Sequence, residues 1–139
     1  MKHSIPISKI MNTDLITVNE NNKFSELRSI MEKNRINHLP VMENRKITGI
    51  ISYKDVLKTS FSDRYANQQE SDQLLDYSMT ITDFMTKELF TIKETDTVKH
   101  ATQMLVEKKF NALPVVDNNA NLVGIITLHD LLIFLLDQY

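Results

Sequence analysis

Hydrophobic positions along this chain fall into a short pattern that occurs twice. Phe24, Leu27, Ile30 and Met31 recur at helical spacing, and so do Val98, Ala101, Met104 and Leu105. Asn22 and Asp96 stand just ahead of these runs as expected N-caps. A short extended segment precedes each helix, at 15–18 and at 89–92. Two brief apolar strands follow each one, 39–42 with 46–51 and 113–116 with 122–126. Polar turns join them, Glu43-Asn44-Arg45 in one case and Asp117-Asn118-Asn119-Ala120-Asn121 in the other. A second helix is expected to start near Ser52 and near Thr127. The predicted order is strand, helix, strand, strand, helix, twice over. Residues 59–78 read as a connector. It is polar, but Phe61, Tyr65, Leu74, Leu75 and Tyr77 on and beside it predict a helical extension of the first copy, then a looser stretch.

The two passages are copies of one another. Asn37-His38-Leu39-Pro40-Val41 matches Asn111-Ala112-Leu113-Pro114-Val115 at a shift of 74, and Leu15-Ile16-Thr17-Val18 matches Leu89-Phe90-Thr91-Ile92 at the same shift. Ile7 pairs with Ile81, Met11 with Met85 and Glu20 with Glu94. Past the prolines the shift becomes 75, so that Gly49-Ile50-Ile51-Ser52 falls on Gly124-Ile125-Ile126-Thr127 and Asp55 on Asp130. One residue has been inserted in the intervening turn. Two copies are too few for a solenoid, which needs about three to bury a continuous core. Each copy alone is near the size at which a core is marginal. The expectation is therefore a face-to-face pair related by a pseudo-twofold axis.

Composition narrows the function. The 139 residues suit one compact domain, and 42% hydrophobic with 24% charged residues is ordinary for a folded soluble protein. Sixteen Lys and Arg against 18 Asp and Glu give a net charge of -2, which argues against nucleic acid as the main partner. With no cysteine there is no disulfide, zinc-thiolate site or thiol nucleophile. Only two glycines are present, which excludes a Gly-rich phosphate loop. No signal peptide is apparent, and the apolar run Leu131 to Leu136 is far short of the ~20 residues of a membrane helix. No membrane partner is expected, and the expected location is the cytoplasm.

Chemistry concentrates at Ser52-Tyr53-Lys54-Asp55 and Thr127-Leu128-His129-Asp130. Each follows a strand ending Gly-Ile-Ile and opens an apolar helix. One reading is a capping box, in which a hydroxyl and a carboxylate satisfy free helix-end amides. The other is a nucleoside site: the helix start offers amides and a positive dipole end to phosphate, and the short carboxylate can accept from two ribose hydroxyls. Recurrence in both copies favours the second, and both can hold at once.

These features together resemble the cystathionine β-synthase (CBS) domain: the order of elements, the strand with Pro-Val at its centre, and Gly-Ile-Ile-Ser/Thr-x-x-Asp before a helix. Two in tandem resemble a CBS pair, or Bateman module. The resemblance implies an α/β (α+β) fold of two βαββα repeats packed sheet to sheet, repeat one at 5–58 and repeat two at 79–138. It also implies a stand-alone regulatory module with no attached enzyme or channel.

The resemblance further implies two adenosine-binding clefts, each drawing on both repeats. Asp130 would hold one ribose, with Thr127 and His129 near ribose and phosphate; Ile16, Ile36 and Asn37 would frame that adenine, with Met11 and Thr13 at the rim. Asp55, Ser52 and Lys54 would serve the other cleft, with Phe90, Phe110, Asn111 and Met85 framing its adenine. Ile16 and Phe90 taken alone read as core residues. His38 occupies a position where related modules carry a phosphate-contacting base; the second copy has Ala112 there. The Asp55 cleft is therefore expected to prefer di- or triphosphates, more sharply below neutral pH as His38 gains charge from its ordinary pKa of ~6.5. Arg35 and Lys109 close the first helix of each copy, where a cation also suits the helix dipole.

The last helix, Leu131 to Leu136, is apolar all round, and with Val56, Leu57 and Phe61 of the first copy it is expected to form a homodimer interface. The reading that results is a non-enzymatic sensor with no obligatory cofactor and no metal. It would bind AMP, ADP or ATP and act on a regulated protein through a change of shape or dimer geometry. S-adenosylmethionine, NAD or a cyclic dinucleotide as ligand, or a purely structural dimerisation role, are the alternatives.

Overall fold

The computed structural model describes residues 4–61 and 80–139. The chain is a mixed α/β protein that divides into two compact units, one spanning Ile16–Leu89 and the other joining Met1–Leu15 to Phe90–Tyr139. Each unit thus holds one copy of the repeat together with the short segment that precedes the other copy.

In the unit of the first copy, α1 (Phe24–Asn34) leads to the antiparallel strands β1 (His38–Glu43) and β2 (Lys46–Ser52), and α2 (Tyr53–Phe61) follows. Val18 adds to the β1 edge in parallel, its N–H donating to Pro40 O at 3.0 Å and its carbonyl accepting from Met42 N at 2.7 Å. Thr86 pairs with Ile50 on the β2 edge through two bonds of 2.9 and 3.0 Å. A short helix α3 (Ile81–Phe84) carries Ile81 into the core. Val18, Phe24, Leu27, Met31, Leu39, Val41, Ile51, Val56 and Met85 complete that core, so Val56, expected at a homodimer interface, is instead fully buried within its own unit.

The unit of the second copy repeats this plan. β3 (Ile92–Lys93) runs parallel to β4 (Ala112–Val116), which pairs antiparallel with β5 (Leu122–Thr127); α4 (Val98–Lys108) and α5 (Leu128–Leu136) flank the strands. Here the far edge is covered by Asn12, bonded to Ile125 at 2.9 and 3.0 Å, and Ile7 on a 3-10 turn (Ile7–Lys9) is fully buried beside Leu113, Val115 and Ile126. Burying an isoleucine this way contributes about 1.5–3 kcal/mol, enough to anchor so short a segment. The strand edges that would otherwise be open to stray pairing are closed by these segments.

Both hairpins carry a bulge, between Val41 and Met42 and between Val115 and Val116. The inserted residue of the second copy lies in its turn, where the Asp117 carboxylate accepts from Asn119 and Asn121 and Ala120 takes φ 62°.

The expected N-caps lie one residue too early. The helices are capped at Lys23 and Thr97 instead, and Thr97 Oγ1 accepts from His100 N at 3.1 Å. Asn22 and Asp96 are taken by upstream amides, of Asn19 at 2.9 Å and of Lys93 at 2.9 Å, and so close the preceding turn. Both first helices end on a left-handed residue, Arg35 at φ 54° and Lys109 at φ 58°. The helix expected after Ser52 is present to Phe61. The remainder of the connector, with Tyr65, Leu74, Leu75 and Tyr77, and the side chain of Phe61 lie outside the described residues.

Candidate functional site

Strand pairing and helix capping build the same small arrangement in each unit. In the first, β1–β2 register sets His38 opposite Ser52. The chain then turns into α2, and Tyr53 N–H donates to Asn37 O at 2.8 Å. Asp55 N–H donates to Ser52 Oγ at 3.1 Å, while Ser52 N–H donates to Asp55 Oδ2 at 3.4 Å. In the second, Ala112 lies opposite Thr127, and Leu128 N–H donates to Asn111 O at 3.0 Å. Asp130 N–H donates to Thr127 Oγ1 at 3.2 Å, and both Thr127 N–H and Thr127 Oγ1 donate to Asp130 Oδ2, at 2.8 and 2.9 Å.

The capping reading is thus physically realised at both helix starts. Both donors to the Asp130 carboxylate fall on Oδ2, and Oδ1 accepts no bond among the described residues. A carboxylate held on one oxygen and open on the other, at the positive end of a helix, is suited to accept hydroxyl donors.

His38 is partly buried at the head of β1, opposite Ser52. Burial pushes its pKa below the usual 6.5, and the nearby Asp55 carboxylate only partly opposes this. The imidazole therefore stays neutral further into the acid range than an exposed histidine, a correction to the expectation that it charges just below neutrality. Lys54 and His129 are exposed beside their carboxylates.

The expected framing residues divide between the units. Ile16 and Ile36 are half-buried against the core of the first unit, and Asn37 is exposed. Phe90 and Phe110 form a tilted ring pair in the second, 5.5 Å between centroids, with Lys108 Nζ 4.6 Å above the Phe90 ring. Asn111 is exposed at the head of β4. Of the rim residues, Thr13 is exposed, while Met11 and Met85 pack on Gly124 and Gly49.

One feature beside the site has no counterpart in the expectations. Tyr53 OH donates to Glu32 Oε1 at 2.9 Å, and the same oxygen lies 3.4 Å from Arg28 Nη1. Glu32 and the phenol lie 21 residues apart, beyond the reach of a periodicity argument, but the mismatch of Tyr53 with Leu128 between the copies was a visible signal.

Comparison with known proteins decides the family. The family model described as the CBS domain matches residues 7–62 and again 81–137. The chain belongs to the CBS domain family.

Among its relatives, the uncharacterised protein MJ1225 of Methanocaldococcus jannaschii is 28% identical over 127 residues, covering 91% of this chain and 45% of that protein. The inosine-5′-monophosphate dehydrogenase of the same organism is 32% identical over 120 residues, covering 86% of this chain and 21% of the enzyme. The chain therefore spans less than half the length of these curated relatives. Its fold matches the crystal structure of the CBS domain pair of protein MJ0100 in complex with 5′-methylthioadenosine and S-adenosyl-L-methionine, with a TM-score of 0.78, 27% identity and coverage of 96% and 98% of the two chains. The matched CBS repeats each end on the Ser/Thr-x-x-Asp helix described above. No helix among the described residues is long and apolar enough to cross a membrane.

Proposed function

We propose that this CBS pair is a cytoplasmic regulatory sensor of adenosine nucleotides, AMP, ADP or ATP, which accept no chemical change on it. Asp55 and Asp130 each accept ribose hydroxyls, and Ser52, Lys54, His38, Thr127 and His129 face the phosphates. The observation that carries the reading is the Asp130 carboxylate, fixed through Oδ2 by its own cap while Oδ1 accepts nothing among the described residues. Ligand alters a regulated protein by shifting the module between shapes or dimer geometries, and only by as much as its affinity for the two differs. The homodimer forms through α5, whose Leu128, Leu132, Ile133, Leu135 and Leu136 are all 40% exposed or more.

A second reading, a ligand with an adenosyl group and no phosphate chain, has its own support in the MJ0100 pair, whose complex holds two such compounds. Calorimetric titration with AMP, ADP, ATP, S-adenosylmethionine and 5′-methylthioadenosine separates the two. Asp55→Ala and Asp130→Ala should each weaken binding by about 1.5–3 kcal/mol at its own site, the scale of a hydrogen bond to a charged group. Unchanged affinity in both variants would leave the aspartates with capping alone.

A further inference from the structure

The two helix starts differ in how they are held. Each is tied by one backbone bond to the preceding loop, Tyr53 N–H to Asn37 O and Leu128 N–H to Asn111 O. The first has a further tie through side chains. Tyr53 is the first residue of α2, and its hydroxyl reaches Glu32 on α1, which also pairs with Arg28 one turn earlier. Arg28 is only 8% exposed, packed over the Phe24 ring at 5.9 Å, so the far end of this chain of contacts is set in the core. In the second copy the corresponding residues are Thr102, Val106 and Leu128. Thr102 turns its hydroxyl back to Val98 O at 2.8 Å, and Val106 and Leu128 are 71% and 43% exposed. Nothing of the tie can form there.

We propose that Arg28, Glu32 and Tyr53 form a brace that fixes the start of α2 against α1, so that Ser52 and Asp55 are held ready for ligand, whereas Thr127 and Asp130 are held by their own cap without a tie to α4. Tyr53 and Glu32 are positioning residues and need no contact with the ligand. The part of this inference that concerns affinity rests on the nucleotide reading above; the part that concerns rigidity does not. A group held in place before binding loses less freedom on binding, so the braced site gains affinity without a new contact.

Amide hydrogen exchange followed by NMR on the full chain tests the rigidity. In the wild type the Tyr53 amide should exchange more slowly than that of Leu128. Tyr53→Phe and Glu32→Ala should each speed exchange at Tyr53 and Asp55 by about threefold to tenfold, the effect of one lost hydrogen bond, and leave Leu128 and Asp130 unchanged. Glu32→Gln keeps an acceptor for the phenol and should stay near wild type. Unchanged exchange at Tyr53 and Asp55 in both disrupting variants, or equal acceleration at Leu128 and Asp130, overturns the brace. Calorimetry with AMP and ATP then tests its use: Tyr53→Phe should weaken the Asp55 site by about threefold to tenfold and spare the Asp130 site. Faster exchange with full affinity overturns the link to ligand. A wild type that binds no adenosine compound removes the nucleotide reading, and the exchange data still decide the brace.

Discussion

Met85 lies over Gly49, its thioether filling the space that a Cβ on that strand would need. Met11 stands in the same relation to Gly124. Each methionine belongs to the segment that precedes one copy, and each glycine to the strand of the other, so the two contacts seat the exchanged segments on their sheets. Gly49→Ala and Gly124→Ala should each cost about 1–3 kcal/mol, the usual range for overfilling a packed site. Gly124→Ala should cost more, because its Cβ would also come within 3.2 Å of the Asn12 carbonyl, a backbone atom that cannot rotate away. Urea denaturation of both variants checks this. Adding Met85→Ala to Gly49→Ala should recover part of the loss, which a purely conformational effect of alanine would not allow.

Much of this fold was legible in the sequence because duplication doubles every signal. The hairpins, their turns and the helix starts at Ser52 and Thr127 follow from alternation and spacing read twice. The exchange of the leading segments was not legible. Ile7 and Ile81 match one another in sequence, and that match is silent on which sheet each one covers. The cap positions failed for a local reason: Asn22 and Asp96 are good N-caps by type, and the turn amides of Asn19 and Lys93 take their side chains first. At the site, the Ser/Thr-x-x-Asp pattern was readable because its spacing is one helical turn. The Tyr53–Glu32 bond joins two elements whose relative placement no spacing fixes.

Ala120 sits at φ 62° in the turn before β5, a conformation that disfavours any residue with a Cβ. The left-handed region costs an L-residue about 1–2 kcal/mol, and glycine loses part of that advantage, about 0.5–1 kcal/mol, to its freer unfolded chain. Ala120→Gly should therefore stabilise the protein by up to about 1 kcal/mol. A thermal melt at higher temperature than wild type is the expected outcome. Ala120 is exposed, so packing has no part in the result.

Leu132 is 61% exposed on α5, and no residue of that helix is buried. If α5 forms the homodimer interface, Leu132→Asp should yield a monomer that keeps its fold, because the side chain contributes little to its own core. Sedimentation should show the wild type as a dimer at micromolar concentration and the variant at half its mass, with unchanged circular dichroism. A wild-type monomer would remove the interface. Loss of folding in the variant would place Leu132 in a core that this exposure does not show.

His38 gives the protein a pH dependence whose sign is fixed by its environment. Its pKa in the folded chain is lowered by burial, with Asp55 opposing, while in the unfolded chain it is near 6.5. Between the two values the unfolded state binds a proton that the folded state does not, so stability falls as pH drops through 6.5 toward the lower folded value. Well above 6.5 the group has no effect on the slope. His38→Asn should flatten the fall of the urea midpoint as pH drops below about 7. Ligand reverses the balance. A phosphate placed near the imidazole favours its charged form, so ATP binding at the Asp55 site should take up a proton and tighten as pH falls. The Asp130 site has Ala112 in place of His38, so His38→Asn should leave proton uptake there unchanged. Calorimetry of ATP binding in two buffers of different ionisation enthalpy measures the uptake directly, and His38→Asn should lower it by the share of the Asp55 site. Equal uptake in wild type and variant would place the phosphates away from His38 and end the case for a triphosphate preference at this site.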